Sequence, residues 1–77
     1  MVVKKKFSTI AELQRLQFLA TKCPEDVGLH SLNDEIVVDA KSYIGIYALN
    51  FEKPILVVSE SKEFFDKIKD IGETLPM

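Results

Sequence analysis

Few side chains in this chain are equipped for chemistry. It has a single histidine, His30, and a single cysteine, Cys23. An imidazole can pass a proton or a phosphoryl group near neutral pH. His30 lies in a run, Val27 to Leu32, that reads as a strand and offers no helix N-terminus to hold a phosphoryl group. It therefore reads as an ordinary strand residue, with a phosphoryl-carrying imidazole as the weaker alternative. Cys23 closes an apolar helical stripe and reads as packing. One cysteine and one histidine do not make a usual closed zinc site. The glycines, Gly28, Gly45 and Gly72, fit no phosphate-cradling motif. The expectation is a non-enzyme with no metal and no cofactor.

Hydrophobic periodicity supplies the elements that must position these groups. Met1 to Phe7 predicts a first strand. A helix follows from Ile10 to Cys23, opened by Thr9 and Glu12 in a capping box and closed by Pro24. Leu13, Leu16, Ala20 and Cys23 form its stripe, with Leu19 on the flank and Phe18 roughly opposite. Val27 to Leu32 and Glu35 to Asp39 predict two strands around an Asn33-Asp34 turn. Ser42 to Leu49 fits a short helix with Ser42 as its N-cap. On that helix Ile46 and Leu49 face the core, while Tyr43, Ile44 and Tyr47 face outward. Ile55 to Val58 predicts a buried central strand. Lys62 to Ile71 predicts a last helix, capped by Ser61 and stopped by Gly72. Glu63 and Lys67 stand at i,i+4 on its exposed side.

The expected fold is α+β: a four-stranded antiparallel sheet with three helices on one face, formed by residues 1–77 as one domain. The chain is 47% hydrophobic and 29% charged, the balance of a folded soluble protein rather than a disordered one. The net charge of -2 argues against nucleic acid as a partner, since Lys4-Lys5-Lys6 is too short to track phosphates. One cysteine cannot form an internal disulfide, which favours a reducing, cytoplasmic setting. The N-terminus lacks the apolar core of a signal peptide. No apolar run approaches the roughly 20 residues that span a bilayer, so no membrane partner is expected.

The run from Val38 to Leu49, VDAKSYIGIYAL, resembles the region around the regulatory serine of HPr, the small phosphocarrier of the phosphoenolpyruvate-dependent sugar phosphotransferase system. The family run there is approximately V-N-A-K-S-I-M-G-L-M-S-L. Ala40, Lys41, Ser42, Gly45 and Leu49 match it directly, and Ile44, Ile46 and Ala48 are conservative. The resemblance implies the HPr-like open-faced β-sandwich. The family's other motif, a G-L-H-A-R-P-A-like run at the start of the first helix, is missing. Lys6 to Glu12 stands in its place, with Ser8 or Thr9 where the carrier histidine belongs. Gly28-Leu29-His30 mimics that motif only superficially, because it follows the first helix.

A serine or threonine phosphoester is too stable for rapid onward transfer, so the carrier activity is not expected here. What the resemblance implies instead is a regulatory, protein-binding role. Ser42 stands where the family's regulatory serine is phosphorylated. Two readings stay open for it: a cap worth about 1 kcal/mol, or a site for a phosphate of about -1.5 to -2 charge. Tyr43, Ile44 and Tyr47 are the candidate partner surface, and partial burial by neighbouring loops is their plainer reading. Implied partners are HPr kinase/phosphorylase, a transcriptional regulator or phosphotransferase-system components. The alternatives are a phosphocarrier using a non-standard site such as His30, or a structural module that is not phosphorylated.

Overall fold

The computed structural model describes residues 1–42 and 44–76. In chain order they form β1 (Val2–Lys6), α1 (Ile10–Thr21), β2 (Val27–Ser31), β3 (Val37–Asp39), a 3-10 turn (Gly45–Ala48), β4 (Ile55–Ser59), α2 (Lys62–Lys67) and β5 (Glu73–Leu75). The strands build one sheet in the order β3-β2-β4-β1-β5, with every pairing antiparallel. The fold is therefore α+β, with a five-stranded open sheet and two helices. The expectation of four strands and three helices is corrected on both counts.

Strand alternation explains how the sheet is covered. The register pairs Val3 with Val57 and Lys5 with Ile55, and Val27 with Ser59 and Leu29 with Val57. Opposed residues share a face, and on this face Ile55, Val57, Val27 and Leu29 are all buried. Leu13, Leu16 and Ala20 of α1 and Phe64 of α2 complete the same core, with Ile68 and Ile71 just beyond α2. The intervening residues, among them Val2, Lys4, Leu56, Val58, Gly28 and His30, point the other way and lie outside that core. Ile55 to Val58 is thus central as expected, but only Ile55 and Val57 of it are buried. Leu56 and Val58 are half-buried on the open face.

Local chemistry sets the ends of the elements. The Thr9 hydroxyl accepts from the Glu12 amide at 3.3 Å, and Glu12 Oε1 accepts from the amides of Thr9 at 3.2 Å and Ser8 at 2.6 Å. Helix α1 stops at Thr21, before the expected Cys23. The Lys22 amide turns back to Leu19 and Ala20, and Pro24 cannot extend the ladder. The β2–β3 link closes through Asp34 at φ 59°, a conformation that aspartate tolerates. Strand β3 starts at Val37 rather than Glu35, because residues up to Ile36 are spent on that turn.

The expected helix from Ser42 to Leu49 is a single 3-10 turn. A nucleus needs more residues than Gly45 to Ala48 supplies, and a glycine and an aromatic residue weaken it further. Helix α2 ends at Lys67 rather than Ile71. Residues 68–71 continue as turns, with the Ile71 amide donating to Ile68 O at 2.9 Å.

That bend delivers residues 71–72 to a clamp. Lys5 Nζ donates to Ile71 O at 2.8 Å, and the Gly72 amide donates to Glu12 Oε2 at 3.1 Å. Gly72 has φ 68°. A Cβ there would lie 2.8 Å from Lys6 O and 2.9 Å from Phe7 Cδ1. With the turn held in this way, residues 73–75 lie along β1, pairing Glu73 with Lys6 and Leu75 with Lys4.

The clamp carries its own electrostatics. Lys5 is 1% exposed, and burial lowers its ammonium below the ordinary 10.5 while Asp70 and Glu12 pull it back up. Glu12 is held below its ordinary 4.5, first by the Ser8 amide and then by those of Thr9 and Gly72 and by Lys5, against a cost of desolvation.

Gly72→Ala should destabilise the fold by about 2 kcal/mol or more, since it adds both left-handed strain and a backbone clash; a urea midpoint within error of wild type would refute this. Glu12 has a depressed folded pKa, so its stabilisation is complete above 4.5 and disappears as pH falls through the lowered value. Urea midpoints measured across pH should show Glu12→Gln less stable than wild type at neutral pH, with the two curves converging in acid. Parallel curves would contradict the assigned role.

Candidate functional site

Three places bear on function: the start of α1, His30 on the open face, and the loop from Lys41 to Leu49.

The start of α1 already holds an anion. Helix N-termini attract phosphate because their first amides lack partners. Here the amides of Ser8 and Thr9 are both satisfied by the Glu12 carboxylate. These amides lead into the first helical residue, Ile10, so an incoming phosphoryl group would meet the Glu12 carboxylate beside the helix start.

His30 sits on β2, paired with Leu56 of β4 and Val37 of β3. By strand parity its ring lies on the open face, whereas α1 packs on the other. Its Nδ1 is 3.2 Å from Asp34 Oδ1, and its Nε2 leans over Gly28, where an added Cβ would meet it at 3.2 Å. The imidazole is thus remote in orientation from Ser8 and Thr9 and has no part in that helix start.

Ser42 is exposed and lies three residues before the 3-10 turn rather than at its N-cap, a position taken by Ile44. Its hydroxyl still accepts the Gly45 amide at 3.1 Å. Its own amide donates to Asp39 O at 3.0 Å. Gly45 is packed closely against it, since a Cβ there would lie 3.2 Å from Ser42 Oγ. The capping chemistry expected of Ser42 is present, displaced by the shortening of the helix.

The loop is stitched to α1 by glutamines. Gln14 Nε2 donates to the Tyr47 hydroxyl at 2.9 Å, and Gln17 Nε2 donates to Lys41 O at 3.2 Å. Ile46 and Leu49 turn inward and are buried, while Ile44 is 84% and Tyr47 55% exposed. Tyr43 lies outside the described residues. Phe18 stands one helical turn after Gln14, is 56% exposed, and carries Lys22 Nζ 5.2 Å from its ring centroid. Phe18, Ile44 and Tyr47 are thus exposed, and the Gln14–Tyr47 bond ties the loop to the helix that carries Phe18. Gln14 and Gln17 were not singled out by sequence reasoning. Glutamine is common on solvent-facing helix positions, so nothing local distinguishes a residue that holds a distant loop.

Cys23 is buried, with Sγ 3.4 Å from Glu25 Oε2. Among the described residues no group of three or more His, Cys, Asp or Glu is placed to hold a metal ion, and no helix is long and apolar enough to cross a membrane. Comparison with protein-family models, with curated proteins and with solved structures returned no match.

Ser42→Ala removes the acceptor for the Gly45 amide in an exposed turn. It should cost about 0.5–1 kcal/mol, readable as a small drop in the thermal midpoint. A loss several times larger would mean that Ser42 supports more of the fold than this turn.

Proposed function

We propose that this chain is a divergent HPr-like protein that acts by binding a partner protein and has no histidine phosphocarrier activity. The observation that carries the reading is the Phe18, Ile44 and Tyr47 surface, exposed yet held in place by the Gln14–Tyr47 hydrogen bond. Large apolar and aromatic side chains fixed on a rigid element are the usual anchors of an interface. The segment that carries Ile44 and Tyr47 is also the segment that resembles the family's regulatory region. The order β1-α1-β2-β3-turn-β4-α2 and an antiparallel sheet covered on one face agree with an HPr-like open-faced β-sandwich, with β5 as an addition.

The Glu12 carboxylate supports the absence of carrier activity. It accepts from the Ser8 and Thr9 amides and sets a negative charge at this helix start, and no imidazole is there to be phosphorylated. The partner classes are those the resemblance brings: HPr kinase/phosphorylase, a transcriptional regulator or phosphotransferase-system components in the cytoplasm. Ser42 is the proposed regulatory site, because it is exposed two residues before Ile44 in the same loop. The Gly45 amide bond to that hydroxyl favours a second reading, in which Ser42 only caps the turn and the chain is an unphosphorylated module.

Affinity capture from cell extract, with wild type and Tyr47→Ala compared by mass spectrometry, should show specific partners lost at least tenfold in the variant. An unchanged partner list would overturn the binding surface. Incubation with enzyme I and labelled phosphoenolpyruvate should leave no acid-labile label, and its appearance would restore the carrier reading through His30. Incubation with HPr kinase and ATP should label wild type but not Ser42→Ala. Absence of label in both would leave Ser42 as a cap.

A further inference from the structure

On the side away from the helices, the sheet presents a face that no helix covers among the described residues. Over β2, β3 and β4 its floor is apolar: Leu56, Val58 and Val37 fall on it by register, and Val37 is 58% exposed, while Val2 and Lys4 of β1 flank this part of the face. Gly28 interrupts that floor on β2. Because it has no side chain, an open concavity of about 540 Å³ lies to one side of it, bounded by His30, Val58, Glu25, Asp26 and Glu60. A second, of about 340 Å³, lies to the other side, bounded by Val37, Asp39 and again Asp26. Together they make a trough across β2.

The charge on the trough has one sign. Glu25, Asp26, Asp39 and Glu60 are all exposed. Among the described residues none of them is in an ion pair, and neither concavity is lined by a lysine or an arginine. The one basic group, His30, already faces Asp34. An apolar floor with an unbalanced acidic rim complements an apolar segment bearing cations and repels a phosphate backbone.

We propose that this open face docks an extended basic segment of a partner protein, with arginine or lysine side chains reaching the rim carboxylates and small apolar side chains lying over Gly28. The dimensions suit an extended chain. Asp39 on β3 and Glu60 beyond β4 are separated by two strand spacings, roughly 10 Å, and alternate side chains of an extended peptide point the same way at roughly 7 Å intervals. Long arginine side chains cover the difference. A second copy of this chain is a poorer occupant. Strands of this length and spacing give a face on the order of 400 Å², about half of the roughly 800 Å² per partner that a stable dimer needs. The proposal does not depend on the Phe18–Tyr47 surface, and either can fail without the other.

Fluorescence polarisation with a labelled peptide of repeating Arg-Ser-Val-Ser, whose arginine and valine side chains point to the same side of an extended chain, titrated with the full chain, tests this. Saturable binding is expected, weakening with salt. The combined variant Glu25→Gln, Asp26→Asn, Glu60→Gln should weaken it at least tenfold, and so should Gly28→Val, which fills the trough. Tyr47→Ala should bind as wild type, and so should a control variant that removes carboxylates elsewhere, Glu35→Gln, Glu52→Gln, Asp66→Asn. Circular dichroism of each variant separates lost binding from lost folding. Equal weakening in the control variant, equal binding of a peptide with glutamate in place of arginine, or no saturable binding would overturn the proposal. Sedimentation should show a monomer; a dimer dissolved by the trough substitutions would assign the face to a second copy and overturn it as well.

Discussion

The arrangement depends on how residues 71–72 are caught between β1 and α1. Lys5 reaches Ile71 O from inside the core, and Glu12 takes the Gly72 amide with the oxygen that the capping box leaves over. A buried ammonium is costly unless it is hydrogen-bonded and near opposite charge. Lys5 meets both conditions, through the Ile71 carbonyl and the charges of Asp70 and Glu12. One carboxylate therefore starts a helix, joins Asp70 in offsetting the charge of a buried cation and fixes the turn that leads into β5. The left-handed glycine follows from the same contact, because Lys6 O and Phe7 leave no room for a Cβ.

This clamp also determines what the start of α1 can do. Unpartnered amides at a helix N-terminus are a general resource for binding anions. Here an internal carboxylate takes the Ser8 and Thr9 amides that lead into the helix and sets its charge beside that end. Chemistry that needs the amides for a phosphoryl group competes with an intramolecular partner, whose effective concentration is high and which also stabilises the sheet edge. The absence of a histidine at Ser8 or Thr9 and the presence of Glu12 act in the same direction.

With two helices, this small domain covers one face of its sheet and leaves the other open. Its two candidate surfaces follow from that division. The Phe18, Ile44 and Tyr47 surface lies on the helix side, held by polar contacts between α1 and the loop. The trough at Gly28 lies on the open side, where partly exposed valines meet acids that form no ion pair among the described residues. They differ in chemistry, one aromatic and the other acidic, so they suit different partners.

Local signals were legible in the sequence where the cause is local. The Thr9–Glu12 capping box, the Ser61 cap, the Asn33-Asp34 turn and the alternation that buries Ile55 and Val57 each depend on residues within a few positions of one another. So does the division of Ile46 and Leu49 from Ile44 and Tyr47. Strand β5 was not legible, because Glu-Thr-Leu has no pattern of its own and becomes a strand only by pairing with β1. The burial of Lys5 was equally hidden, since a lysine triplet reads as a solvated run until the sheet turns its middle member inward. Tertiary structure decided these, and it decided that Gln14 holds Tyr47, because their partners lie tens of residues away in the chain. A sequence records such contacts only through residues that remain unremarkable until the fold brings them together.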